Sequence, residues 1–278
     1  FLTSIQENAV KPIEPVFLDF KKDMSQLTAK SDIPVLYKQN TTNDLFQLIY
    51  VFDMGNNNDK ALGTAFDYLE YLGTSDMTPE ELKSEFYRLA CTFYVSPGNE
   101  RTYVVLSGLN ENMPAAMQLF EKLLADAQVN KEAYDNLVGD ILKARADAKL
   151  NQGQNFSRLM NYAMYGPKSP ATNLLTEAEL ASMNPQELVD RIHNQNNYKH
   201  RILYYGPSSS KDLLATIDQY HQVPATLKDI PAGNEFSYLE TPATKVLVAP
   251  YEAKQIYMAQ ISNLDKKYDP AIEPTREL

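Results

Sequence analysis

The spacing of apolar residues changes at Leu62 from that of strands to that of a helix, and this change limits the possible folds more than any other feature. Before it, the runs 16–20, 35–37 and 45–52 are rich in β-branched and aromatic residues and are separated by polar breaks, so they predict strands. After it, apolar residues recur at the spacing of one helix face: Leu62, Ala65, Phe66, Leu69 and Leu72. The chain therefore opens as a small group of strands and continues into helices.

Two local signals predict the elements that follow. Thr78-Pro79-Glu80-Glu81 is a capping box with proline at the first helical position, so we expect a helix to begin there. The runs 92–95 and 103–106 flank Ser96-Pro97-Gly98-Asn99, which is the pattern of a β-hairpin with a short polar loop.

The second half of the chain is mostly helical in pattern. Apolar stripes predict helices at 113–124, 131–150 and 156–163, with two more near 176–196. Residues 202–205 read as a buried strand that leads into another helix. This order predicts an α+β fold: a two-layer domain with helices on one face of a largely antiparallel sheet.

A shift in composition divides the chain. Residues 223–242 are rich in Pro, Ala, Gly, Asn and Thr and have little periodicity, as is typical of a connector. We therefore predict a first domain over 1–225, a linker over 226–243 and the truncated start of a second domain over 244–278. Two predicted strands in that last segment, Lys245–Ala249 and Gln255–Ile261, would expose an unpaired edge, so we expect dimerisation through this tail.

Charge and hydropathy exclude two classes of partner. The net charge is −10 and the longest basic runs are the doublets Lys21-Lys22 and Lys266-Lys267, so nothing is suited to a run of phosphates and nucleic acid is not expected as a partner. The longest aliphatic run, from Val246 to Ala249, is far shorter than a membrane-spanning helix. A single cysteine leaves both a cell-envelope or periplasmic location and a cytoplasmic one open.

Three isolated signals for chemistry have simpler interpretations. Gly206 to Lys211 lies between a strand and a helix but lacks the second glycine of a phosphate loop, so we expect a capped turn. His193, His200 and His221 lack the spacing of zinc ligands. Cys91 has no adjacent base and is expected to be a small core residue.

The segment from Gly63 to Thr74, with the capped helix and the hairpin after it, resembles the inverted zinc-motif region of the insulinase and pitrilysin-like metallopeptidases. In that family His-x-x-Glu-His lies on a helix. Residues 137–145 resemble the later helix that supplies a third, glutamate ligand. Residues 164–170 are similar to a Tyr-Gly…Pro break, and residues 198–206 to the strand and glycine turn that close the first domain. The resemblance implies a metallohydrolase-like α/β roll.

The ligand positions of this motif have changed in the present chain. The two histidines correspond to Asp67 and Tyr71, the catalytic glutamate to Glu70, and the third ligand most nearly to Asp140. Tyrosine, with an ordinary pKa of about 10, is a poor zinc ligand at neutral pH. The resemblance therefore implies a degenerate half with no metal or other cofactor of its own, while zinc belongs to a catalytic half. The simpler alternative for these side chains is a solvated polar helix face.

The family resemblance also implies a role. Such peptidases close two homologous halves around a peptide, so this chain is expected to be the non-catalytic half. It would help to enclose and bind substrate for a catalytic half in the same polypeptide or in a separate subunit. The family's substrate-binding edge strand corresponds to Thr92, Phe93, Tyr94 and Val95, unless that strand is paired on both sides. Two alternatives are a free-standing interaction protein that kept the fold without activity, and a binding domain using a tyrosine-rich surface, since the chain has 18 Tyr and 0 Trp.

Overall fold

The structure is a computed structural model that describes residues 15, 17, 19–252 and 255–263. These residues form six strands in one mixed sheet. The strands are β1 (Ser25–Ala29), β2 (Ile33–Gln39), β3 (Leu45–Phe52), β4 (Cys91–Pro97), β5 (Thr102–Leu109) and β6 (Arg201–Gly206). Their order across the sheet is β1-β2-β6-β3-β5-β4. Only β2 and β6 are parallel neighbours, and the other described pairs are antiparallel.

Helices pack against this sheet and confirm the predicted α+β class. They are α1 (Phe20–Asp23), α2 (Leu62–Leu69), α3 (Pro79–Arg88), α4 (Met113–Asp126), α5 (Lys131–Lys149), α6 (Gln152–Tyr165), α7 (Glu177–Ser182), α8 (Gln186–Asn194) and α9 (Ser210–Tyr220). In the described part of the chain, no helix has both the length and the apolar character needed to cross a bilayer.

The core lies between the helices and one face of the sheet. On β3, Phe46, Leu48, Tyr50 and Phe52 alternate with residues of the other face and are all buried. They join the buried stripes of α2 and α4 in one hydrophobic cluster. Side chains repeat every two residues on one face of a strand and about every 3.6 residues on one face of a helix, and here both repeats place apolar side chains in the same layer.

The capping box at Thr78 forms as the sequence predicts. Thr78 Oγ1 accepts a hydrogen bond from the Glu81 backbone N–H at 3.2 Å, and Glu81 Oε2 accepts one from the Thr78 N–H at 2.8 Å. Ser209 similarly caps α9, with its side chain accepting from the Asp212 N–H. The segment from Gly206 is therefore the capped turn that was expected.

The structure corrects the prediction for the first strand. Phe20 begins the short helix α1 rather than ending a strand, and Asp19 caps this helix by accepting from the Lys21 N–H at 3.1 Å. Val16 and Leu18 lie outside the described residues. The first strand among the described residues is instead β1, Ser25–Ala29, which the sequence did not reveal because Ser-Gln-Leu-Thr-Ala has little apolar content.

The segment predicted as a linker lies along the preceding part of the chain. Near its start, the Asn58 side-chain amide donates to the Pro231 carbonyl at 2.8 Å, and the Asn234 N–H donates to the Asn57 carbonyl at 2.7 Å. Near its end, Tyr238 stacks on Tyr165 with ring centroids 4.7 Å apart. The asparagine-rich break after β3 therefore anchors a distant segment.

The two strands predicted in the tail are wrong. Lys245–Ala249 and Gln255–Ile261 have no strand pairing, and Val246 and Ile256 are 81% and 93% exposed. A strand needs a neighbour for its main-chain groups, and none of the described strands lies beside these segments. Residues 264–278, the rest of the predicted start of a second domain, lie outside the described part.

These tail residues nevertheless contact the preceding part of the chain. The Tyr251 hydroxyl donates to the Leu150 carbonyl, and the Gln152 side-chain amide donates to the Gln255 carbonyl at 2.7 Å. Phe156 meets Tyr257 edge-on at 5.5 Å. The division at 225 and 244 and the dimerisation through the tail stay predictions.

Replacing Thr78 with alanine tests the contribution of the capping box. Thr78→Ala removes the side-chain acceptor for the Glu81 N–H and should lower the free energy of unfolding by about 1 kcal/mol. Ser84→Ala, at an exposed position inside the same helix, is the matched control and should be neutral or slightly stabilising. Equal urea midpoints for Thr78→Ala and the wild type would contradict this assignment.

Candidate functional site

The motif positions lie on the exposed side of α2 and of the turn after it, because the helix ends at Leu69, before the last two of them. The opposite side of α2 is buried, so the helix is held in place without using the polar residues. Asp67, Glu70 and Tyr71 are exposed, and Glu70 and Tyr71 follow the last helical residue, Leu69. Partial desolvation, and then the charge of Glu70, raise the pKa of the Asp67 carboxyl.

These residues do not fit a zinc site. Asp140 is exposed on α5. Within the described ranges, no three His, Cys, Asp or Glu side chains are grouped so that they could hold a metal ion. The side chains at the motif positions are a phenol and carboxylates, and they include neither the imidazole nitrogens nor the thiolate sulfurs that zinc prefers.

The predicted binding segment lies on β4 at one edge of the sheet. β4 pairs with β5, and no other described strand lies beside it. The alternative that residues 92–95 are paired on both sides is thus not seen among the described strands. Thr92 and Tyr94 are exposed, while Phe93 and Val95 are half-buried toward the helices.

Aromatic packing and two helices hold this edge strand. The Phe93 ring centroid lies 4.9 Å from that of Phe86 on α3 and 4.8 Å from that of Phe120 on α4. Helices α2 and α3 both pack against β4. The edge is therefore a supported strand, and the helix with the motif positions lies next to it.

Gly108 permits the close approach that begins β4. Its φ is +154°, and a Cβ there would lie 2.4 Å from the Ala90 carbonyl oxygen. Ala90 itself has a positive φ of 49°. Any side chain at position 108 would push β4 away from β5.

On the face opposite the core, one row of side chains crosses the sheet and ends at this edge. The registers of the strands place its members in line: Leu36, Leu203, Ile49, Val105 and Tyr94. Tyr94 is 52% exposed. The row therefore ends on a large, accessible aromatic ring beside the free edge.

A buried polar network crosses the middle of the domain. Glu121 extends from α4 into the core, where four groups hydrogen-bond to its carboxyl. Oε1 lies 3.0 Å from the Tyr50 hydroxyl and 2.6 Å from His221 Nδ1. Oε2 accepts from the Asn196 side-chain amide at 2.9 Å and from the Gln222 N–H at 3.0 Å.

A second histidine extends the network. His221 Nε2 lies 2.9 Å from His200 Nε2, and His200 Nδ1 lies 2.7 Å from the Tyr198 carbonyl oxygen. Burial, and then the Glu121 charge, raise the pKa of Tyr50 well above its ordinary value, so this phenol remains a donor. The network connects β3, α4, the segment before β6 and the end of α9.

Sequence reasoning missed this network, although part of its signal was present. Glu121 falls on the apolar stripe of α4, four residues after Met117 and three before Leu124. His221 similarly follows Ile217 by four residues. A polar residue on a buried stripe indicates a buried partner, but its identity required the fold because His221 and Glu121 are 100 positions apart.

Comparisons with known proteins give a likeness of fold. No protein-family model matches the sequence, and no curated protein matches it either. Among solved structures, the periplasmic protease PqqL from Escherichia coli superposes with a TM-score of 0.70 at 15% identity, over 82% of this chain and 26% of that one. The ferredoxin protease FusC, solved with Arabidopsis ferredoxin, gives 0.67 at 11% identity, over 84% and 27%.

A third structure is described as a peptidase M16 inactive domain from Pseudomonas fluorescens. It gives a TM-score of 0.64 at 16% identity, over 77% of this chain and 54% of that one. This chain thus spans about a quarter of the two proteases and about half of the inactive-domain structure. It has the fold of a domain found in M16 peptidases.

Removing one hydroxyl tests the importance of the buried network. Tyr50→Phe keeps the ring but removes a donor to a buried carboxyl, so it should lower the free energy of unfolding by about 2 kcal/mol. Tyr94→Phe removes an exposed hydroxyl and should cost less than about 0.5 kcal/mol. Urea titrations compare the two variants, and equal costs would contradict the assigned role of Tyr50.

Proposed function

We propose that this chain belongs to the non-catalytic half of an insulinase-type zinc metallopeptidase, in which it helps to enclose and bind a peptide. A catalytic half, in the same polypeptide or in a separate subunit, would hold the zinc and cleave the substrate. The fold likeness, which includes an M16 inactive domain, supports this assignment. The observation that carries it is that a helix without zinc ligands packs beside β4, whose outer edge no other described strand covers.

The composition of α2 supports the absence of catalysis in this chain. Peptide hydrolysis in the resembled family needs two imidazoles and a carboxylate on zinc, and a glutamate that deprotonates the bound water. Asp67 and Tyr71 stand at the imidazole positions, so Glu70 has no metal-bound water to act on. The apolar side of the helix is intact, and it supports the adjacent edge of the sheet.

The free edge of β4 supports peptide binding. A strand at a sheet edge presents unpaired N–H and C=O groups, and an extended peptide can satisfy them as an added strand. Because main-chain groups make these bonds, such a site tolerates varied peptide sequences. A peptide residue opposite Tyr94 would continue the apolar row on that face, so we expect a preference for an apolar side chain at that position.

Amide exchange with and without a long unstructured peptide tests the location of binding. Exchange should slow across residues 92–95 because new hydrogen bonds form there. The other edge strand, β1, is an internal control, since residues 25–29 should not change. No change at 92–95 under saturating peptide would refute peptide addition at this edge, and so would equal slowing at both edges.

A pair of substitutions refines the same test. Tyr94→Lys places a charge beside the bound strand at an exposed position and should weaken peptide binding about tenfold, or about 1.4 kcal/mol. Gln26→Lys makes the matched change on β1 and should leave the affinity unaltered. Equal effects of the two variants in a binding titration would indicate general electrostatics rather than a site on β4.

Metal analysis tests the non-catalytic assignment. After dialysis the chain should contain no stoichiometric zinc and should hydrolyse no peptide, because Asp67, Glu70 and Tyr71 supply no imidazole. The contradicting result is about one tightly bound zinc per chain that Glu70→Ala removes.

A His-x-x-Glu-His motif upstream in the parent polypeptide would place the catalytic half in the same chain. If this chain is instead encoded by a gene of its own, without such a motif, it would be a free-standing interaction protein or a separate subunit.

A further inference from the structure

The buried carboxyl and the two histidines form a single chain of hydrogen bonds. We propose that Glu121, His221 and His200 hold three protons between them in the folded protein, one more than the same groups carry separately at pH 8. This network would then join the helices to the sheet with a strength that depends on pH. The inference is independent of the proposed peptidase role.

The two ends of the network determine where protons can lie. The Tyr198 carbonyl can only accept, so His200 Nδ1 donates to it across 2.7 Å. At the other end, Oε2 of Glu121 already accepts from the Asn196 amide and the Gln222 N–H. A proton on the carboxyl can therefore only be on Oε1.

The two inner contacts each need one proton. Glu121 Oε1 and His221 Nδ1 are 2.6 Å apart, and the two Nε2 atoms are 2.9 Å apart. Without a proton, each contact would bring two lone pairs together, and with two protons it would bring hydrogens together. One proton in each of these two contacts and one on His200 Nδ1 make three protons in all. An ionised glutamate and two neutral histidines carry only two.

Charge balance gives the same number. With three protons the network is neutral overall, either as carboxylate and imidazolium or as carboxylic acid and two neutral imidazoles. With two it carries an uncompensated negative charge, and with four an uncompensated positive one. Glu121 and His200 are 1% and 6% exposed and His221 is fully buried, so either net charge would be costly.

The surrounding groups do not supply a competing charge. Among the described residues, the titratable side chains that face the network are Tyr50 on β3 and His193 on α8, and His193 lines a cleft of about 270 Å³ beside Glu121. Several charged residues of the adjoining elements have other partners: Lys122 pairs with Asp76, Arg191 with Asp59 and Arg201 with Asp53, and Asp218 accepts from the Lys30 N–H. Burial, and then the charge of His221, lower the pKa of His200 to about 4, so a fourth proton is disfavoured.

The proton count determines how stability varies with pH. In the unfolded chain, histidine titrates at about 6.5 and glutamate at about 4.3, so at pH 6.5 the three groups also carry three protons. Above that pH the unfolded chain binds fewer protons than the network, and the folding equilibrium constant falls as pH rises, approaching tenfold per pH unit. Below pH 6.5 the unfolded chain binds more protons than the network does, so stability falls as pH decreases.

Urea titrations of the full chain between pH 6.5 and 8.5 test the proposal. Glu121→Gln removes the compensating charge, so the variant should not retain the extra proton. The ratio of wild-type to variant folding constants should therefore fall about 100-fold over these two pH units. His193→Gln is the matched control, with a ratio to wild type that stays within about twofold. A wild-type to Glu121→Gln ratio that does not change with pH would overturn the proposal.

A measurement on the wild-type chain covers the case in which Glu121→Gln does not fold. Long-range ¹⁵N–¹H spectra of the histidine rings at pH 8 should show a proton on His221 Nε2 and one on His200 Nδ1, with His200 Nε2 bare. A bare Nε2 on both rings would refute the three-proton network.

Discussion

The carboxyl of Glu121 is the interaction on which the arrangement of the two layers most depends. It lies on a helix, yet its hydrogen-bond partners come from a strand, from the turn after another helix and from the end of a third. Apolar packing alone tolerates small shifts between a helix and a sheet, but hydrogen bonds to a buried carboxyl permit only one register. The position of β6 is constrained in the same way, because His200 lies directly before that strand.

The described structure separates the requirements of the fold from those of catalysis. Helix α2 is held by its buried side and by Tyr68, whose hydroxyl donates to the Asn130 carbonyl at 2.5 Å and accepts from the Asn130 N–H at 2.8 Å. None of these contacts involves the exposed positions 67, 70 and 71. The polar residues at these positions can therefore change while the layer that supports β4 is kept. The proposed binding role depends on this independence.

The sequence predicted most elements but only part of the site. Helices α3 and α5 and the hairpin of β4 and β5 were predictable because local signals define them, such as the capping box at Thr78. The strand β1 was not, since its short polar sequence is a strand only because it pairs with β2. The strands predicted in the tail were wrong for the opposite reason: their residues have strand propensity, but no described strand lies beside them. The edge position of β4 and the network around Glu121 depend on topology, which joins segments far apart in the chain.

We propose that this domain binds an extended peptide as an added strand on β4. Intermolecular nuclear Overhauser contacts between the labelled chain and an unlabelled peptide with an apolar residue at alternate positions would show such a strand. We expect backbone contacts from the peptide to residues 92–95, with an apolar peptide side chain beside Tyr94. Contacts confined to β1 or to the helices, or no backbone contacts at saturation, would contradict it.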